Sequence, residues 1–135
     1  MGFELREHTA DVGVAAEAET LDSVFAFLGD GLAAAMCDTW PEEGDRFTIA
    51  VESESRDALL FDYLDELIYQ RDVRNVLPVD NDVSINRNGA WTLTGTARGV
   101  PLAHISAREI KAVTYSEMSL DQTPDGWEAY VVFDV

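Results

Sequence analysis

At 135 residues and 47% apolar composition the chain fits one domain with a real core, and no run approaches the roughly 18 apolar residues a membrane span requires. Asp and Glu outnumber Lys and Arg by 26 to 9, and a net charge of −17 argues against gripping a nucleic-acid backbone, a task built from Lys and Arg. The single Cys37 cannot close an internal disulfide, and Met1-Gly2-Phe3-Glu4-Leu5-Arg6-Glu7 lacks both a secretory pattern and the Ser/Thr of a myristoylation start, so a reducing cytoplasm is expected.

Phe3 to His8 and Val12 to Ala18 read as two short strands separated by His8-Thr9-Ala10-Asp11. Thr20 is an N-cap with Asp22 in the first turn, and Leu21, Val24, Phe25, Leu28, Leu32 and Met36 follow at helical spacing until Trp40-Pro41 ends the segment. Phe47, Ile49 and Val51 alternate with polar residues as a half-buried strand. Ser55 or Asp57 caps a second helix with Leu60, Tyr63, Leu64, Leu67 and Ile68 on its apolar stripe. Val83 to Arg87 and Trp91 to Ala97 flank Asn88-Gly89, a type I′ hairpin signal. Ile110 to Leu120 and Trp127 to Val135 flank the turn Pro124-Asp125-Gly126, and a parity shift in the first of them predicts a bulge or bend near Ser116. The last strand is apolar on both faces and is expected at the centre of its sheet. The fold class is α+β: a mostly antiparallel sheet with two main helices packed on it, one compact domain over residues 1–135.

The acids are mixed into apolar periodicity along the whole chain, which speaks for order, and such an excess suits solubility in concentrated salt, as in a halophile. No glycine loop for phosphate, no Cys/His pair at zinc spacing and no nucleophile in a recognisable local setting is present, and Cys37 reads as a small buried hydrophobe. Two aspartates stand out by position. Asp11 lies in the connection between the first two strands, and Asp134 ends the central apolar strand at the sheet's rim beside Val135, whose carboxylate is a further hard oxygen donor. Grouped carboxylates repel one another unless a cation joins them, and oxygen donors suit Ca²⁺, Mg²⁺ or Mn²⁺. A chain this acidic also scatters acids at strand ends by chance, and spacing alone leaves both readings open.

The same segments resemble the archease family. Its members open with a strand into His-Thr-Ala-Asp-Val-Gly, as at His8-Thr9-Ala10-Asp11-Val12-Gly13, and continue with a Thr-Leu-capped helix, as at Thr20-Leu21, and a Gly-Leu turn, as at Gly31-Leu32. The second helix, Leu59-Leu60-Phe61-Asp62-Tyr63-Leu64-Asp65-Glu66-Leu67-Ile68-Tyr69, the block Glu109-Ile110-Lys111-Ala112-Val113-Thr114-Tyr115 and the end Val131-Val132-Phe133-Asp134-Val135 fit in the same order. The resemblance implies a non-enzymatic activator in tRNA splicing and RNA repair, assisting the metal- and GTP-dependent guanylylation and multiple turnover of an RtcB-type RNA ligase. It implies metal-binding acids at Asp11 and Asp134, with Val135 adjoining and Asp38 as a further oxygen donor, and contact with the ligase through His8, Glu109 and Lys111. The implied cofactor is a divalent cation with oxygen ligands; the implied partner is the ligase, with neither nucleic acid nor membrane bound directly. Where the family usually has His after Val-Thr-Tyr this chain has Ser116, so any contribution of that His is absent. Two other readings stand beside this one: a small metal-dependent phosphohydrolase or nuclease using the same carboxylates, and a chaperone-like binding module independent of metal.

Overall fold

A computed structural model describes residues 1–8 and 11–135, with Glu7 and His8 described in their backbone alone. The chain runs β1 (Gly2–His8), β2 (Asp11–Ala18), α1 (Leu21–Met36), β3 (Asp45–Ser53), α2 (Arg56–Arg74), β4 (Val76–Asn88), β5 (Ala90–Pro101), a short 3-10 turn (Leu102–His104), β6 (Ala112–Thr123) and β7 (Gly126–Asp134). The expected α+β class holds, but the strands divide between two antiparallel sheets, β1-β2-β7-β6 and β3-β5-β4. Local hairpin signals specify which neighbours pair and leave open how many sheets the pairs compose.

Both helices form where their caps and stripes place them. Thr20 Oγ1 accepts from the Ser23 amide at 3.1 Å, and Ser55, rather than Asp57, accepts from the Ala58 amide at 3.1 Å. A first-turn aspartate follows each cap, against the positive end of the helix dipole. Asn75 closes α2 in the left-handed conformation, φ 54°, its amide bonded to the Arg71 carbonyl. Helix α1 lies on β1, β2 and β7 and against β4; α2 lies on β3, β4 and β5 and against β6, so the two sheets share one core. Phe25, Leu28, Leu59, Leu64 and Phe133 are fully buried in it, each contributing about 1.5–3 kcal/mol of transfer free energy. Gly31, expected near a turn, lies inside α1, where a Cβ would collide with the Val14 side chain; it lets the helix sit close on β2.

Strand β7 is central, between β2 and β6, with Ala129, Val131, Val132 and Phe133 all buried. The expected bend in β6 is a pairing shift between Thr114 and Ser119, with Glu117 at φ 59°. Three boundaries differ from the sequence reading. The β4–β5 turn is not type I′, since Gly89 alone of Asn88-Gly89 has positive φ and pairing runs up to Asn88 and Ala90. Strand β4 begins at Val76 because a second irregularity, Asp80 at φ 50°, breaks its apolar parity; Arg98 bonds the Asp80 carboxylate at 2.8 and 3.0 Å, and Arg46 its carbonyl at 2.6 Å. Strand β6 begins at Ala112 rather than Ile110, whose carbonyl is taken by the buried Arg71 at 2.8 Å instead of by a neighbouring strand.

Candidate functional site

The register of β2 against β7 is continuous from Ala18 and Trp127 to Asp11 and Asp134. Every inward residue along it is small or apolar, and the ladder ends on two aspartates facing each other as cross-strand neighbours. On the other side of β7, Asp134 pairs with Ala112, and the Lys111 amide donates to the Asp134 carbonyl at 2.8 Å. Asp11 is half-buried; Asp134, Lys111 and Val135 are exposed.

The two carboxyl groups are hydrogen-bonded to each other, and this bond, more than partial desolvation or the charge of Asp11, raises the Asp134 pKa above its ordinary 3.8; the Lys111 ammonium opposes the rise. Two carboxyls facing each other across a ladder are a donor set that a hard divalent cation would occupy, offsetting their mutual repulsion. Their oxygens fit Ca²⁺, Mg²⁺ or Mn²⁺ better than a soft metal. Among the described residues no third His, Cys, Asp or Glu joins them in a metal-binding cluster, so Asp38 and Glu109, both exposed, stand apart from the pair. Val135 follows Asp134 directly, so a carboxylate there would fall within one residue of it.

The placement of Lys111 depends on a segment that is neither helix nor strand. Arg108 caps the C-terminus of α1, its amide donating to the Met36 carbonyl at 2.7 Å and its Nε to the Ala35 carbonyl at 2.8 Å. Helix α1 has no basic residue in its last turn, and Arg108 supplies that charge from elsewhere in the chain. Arg71, only 6% exposed, donates from Nη1 to Ile110 and lies 3.1 Å from the Met36 sulfur. Neither arginine was singled out from the sequence. A signal for Arg71 was present, since it continues the stripe of Leu60, Leu64 and Leu67 at helical spacing. Ser116 is exposed within the β6 bulge, where Tyr115 stacks on Phe61 of α2 with ring centroids 4.1 Å apart. The side chain of His8, and Thr9 and Ala10 of the opening motif, lie outside the described residues. His104 pairs through Nδ1 with Glu43 beside the 3-10 turn. Among the described residues no helix is long and apolar enough to cross a membrane.

Comparison with known proteins agrees with this architecture. The protein archease of Pyrococcus furiosus is 34% identical over 139 residues, covering 98% of both chains, and that of Methanosarcina acetivorans is 33% identical, covering 98% of this chain and 95% of the other. The solution structure of protein 1598 of Methanobacterium thermoautotrophicum superimposes with a TM-score of 0.86 at 32% identity, over 99% of each chain. The crystal structure of an archease, described as a possible chaperone, from Thermotoga maritima shares the fold with a TM-score of 0.67 at 21% identity, over 96% of this chain and 94% of that one. The family model of the Archease protein family (MTH1598/TM1083) matches residues 3–135, and the chain belongs to that family.

Proposed function

We propose that this chain is a non-enzymatic activator of an RtcB-type RNA ligase in tRNA splicing and RNA repair, acting through a divalent cation held by Asp11 and Asp134. The observation that carries the reading is the cross-strand pair itself: two carboxyls at one rim of the sheet, hydrogen-bonded to each other, in the positions the family resemblance assigns to metal. Asp11 is held by the β2 ladder and Asp134 by two ladders and the Lys111 amide, so both oxygens are presented from rigid backbone. Val135 would add a donor, and Lys111 would balance the negative charge of the pair and meet the ligase beside it, with Glu109 and His8. When bound, the cation would neutralise phosphate charge as the ligase is guanylylated. The chain's own residues would hold and orient the cation at the exposed rim. With −17 on this chain, docking in concentrated salt rests on shape and apolar contact rather than long-range charge.

The test is ligase guanylylation and multiple-turnover RNA joining with this protein at substoichiometric amounts, in high salt, with and without Asp134→Ala. Stimulation by the wild type that vanishes in the variant supports an activator working through the pair. Stimulation that survives both the variant and chelation would replace it with metal-independent binding, and RNA or nucleotide turnover by the isolated protein would replace it with a phosphohydrolase or nuclease.

A further inference from the structure

The two sheets have four edge strands, and they differ in how they are protected. On β4 the outward amides of Asn81 and Ile85 donate to Asp30 at 2.9 Å and Asp22 at 3.1 Å, two aspartates of α1 spaced to match the strand, so the helix closes that edge. On β6 a bulge breaks the ladder and α2 packs alongside. On β3 apolar residues alternate inward, and Asp45, Arg46, Thr48 and Glu52 point to solvent. These are the devices by which sheet proteins avoid edge pairing.

Strand β1 shares two of them, exposed charges at Glu4 and Arg6 and a helix, α1, on one face, but it lacks a bulge. Its seven residues pair with β2 without a shift, and it carries no Pro and no Lys. Phe3, Glu4, Leu5 and Arg6 are exposed in succession, Phe3 at 40% and Leu5 at 42%. We infer that β1 is the docking edge for a second copy of this chain, pairing antiparallel with its own counterpart about Leu5 to join the two four-stranded sheets.

The strand is self-complementary in that register. Leu5 is the midpoint of Gly2–His8, so centring the pair there engages every residue of both strands, with residue 2 opposite residue 8 and Leu5 opposite Leu5. Glu4 then faces Arg6 of the second copy, and Arg6 faces Glu4, on the sheet face shared with Ala15 and Gly13. Glu4 and Arg6 are 71% and 55% exposed; in the single chain Arg6 lies 3.9 Å from Glu4 and 5.6 Å above the Tyr130 ring, contacts it would exchange for Glu4 of the second copy. A parallel pairing would set like residues against like. This self-complementarity of Glu4-Leu5-Arg6 is what favours a second copy as the occupant. In this arrangement the two Asp11–Asp134 pairs lie at opposite ends of the joined strands, about 20 Å apart along them at ~3.4 Å per residue, and both stay open.

The test is sedimentation equilibrium over a wide concentration range in concentrated salt, where repulsion between the two acidic chains is screened. The wild type is expected to form a reversible dimer. Arg6→Glu, which sets like charges opposite each other twice, is expected to weaken it by about tenfold or more, and the exchange Glu4→Arg with Arg6→Glu to restore it. Amide exchange read by NMR is expected to slow at alternate β1 positions as concentration rises, a readout that needs no variant. A wild type that stays monomeric throughout, including one that binds only an added extended peptide, overturns the inference. So does a dimer indifferent to both charge variants with β1 amides unprotected.

Discussion

Arg71 reaches from the last turn of α2 through the core to the Ile110 carbonyl, 2.8 Å away, and the next residue, Lys111, donates its amide to Asp134. A buried guanidinium therefore holds the peptide that leads into the carboxylate pair. Replacing Arg71 with Met keeps much of the buried stem but leaves the Ile110 carbonyl unpaired. The expected loss is about 2 kcal/mol, the scale of a hydrogen bond to a charged group, read from urea unfolding. Arg71→Lys should recover part of it. A loss below about 0.5 kcal/mol for the Met variant would mean that the segment is held by Arg108 alone.

A cation that binds the folded pair and not the unfolded chain must stabilise the fold. Titrating Ca²⁺, Mg²⁺ or Mn²⁺ into metal-free protein is expected to add about 2.7 kcal/mol once the free ion reaches about 100 times its Kd. Asp11→Asn and Asp134→Asn should each abolish that increment. In metal-free protein near neutral pH, Asp134→Asn should be no less stable than wild type, because it removes one of two like charges while an amide still hydrogen-bonds to Asp11. Ion-dependent stabilisation that persists in both variants would place the cation elsewhere.

Much of this could be read before the fold was seen, for reasons visible in particular residues. Thr20 and Ser55 cap helices whose apolar stripes have one period, and the terminal strand is apolar on both faces because β2 and β6 flank it. Asp11 could be singled out from its place between the first two strands and Asp134 from its place at the end of an apolar one, but only the β2–β7 register shows them to be neighbours. The division into two sheets was not legible, since it depends on which edges the helices close. Asp80 and Ile110 explain the misplaced strand starts, as both depart from strand geometry through contacts with distant arginines, Arg98 and Arg46 in one case and Arg71 in the other. Such contacts leave no mark on local periodicity.

Asp30 is largely buried in α1 and accepts from the amide and side chain of Asn81, both at 2.9 Å. Burial raises its pKa from the ordinary 3.8, aided by the charge of Asp80 and opposed by the Asn81 hydrogen bonds and Arg46. The folded state therefore holds this proton more tightly than the unfolded chain does. Its contribution to stability is full below 3.8 and is lost as pH rises through the elevated folded value. Asp30→Asn keeps an oxygen in place for Asn81 and cannot ionise. Its stability relative to wild type should rise with pH across that window and then level off, measured as the difference in urea midpoints. A difference that stays flat with pH would mean that Asp30 titrates as an exposed aspartate.

Gly31 tests the close approach of α1 to β2. Helix propensity alone favours alanine at an interior glycine by roughly 0.5–1 kcal/mol. Here the added Cβ would run into Val14 Cγ1 and come within 3.2–3.3 Å of Phe3. Phe3 is half-exposed and can swing aside; Val14 is fully buried with a stiff β-branched side chain and cannot. The overlap outweighs the propensity gain, and Gly31→Ala is expected to destabilise the fold by about 1–3 kcal/mol. Val14→Ala opens the space that the new methyl needs. The double variant should therefore lose less than the sum of the two single losses, by about 1 kcal/mol or more, in a denaturation cycle. Strict additivity would show that the helix shifts off β2 instead of pressing on Val14, and a Gly31→Ala variant more stable than wild type would show that the approach is looser than the packed core indicates.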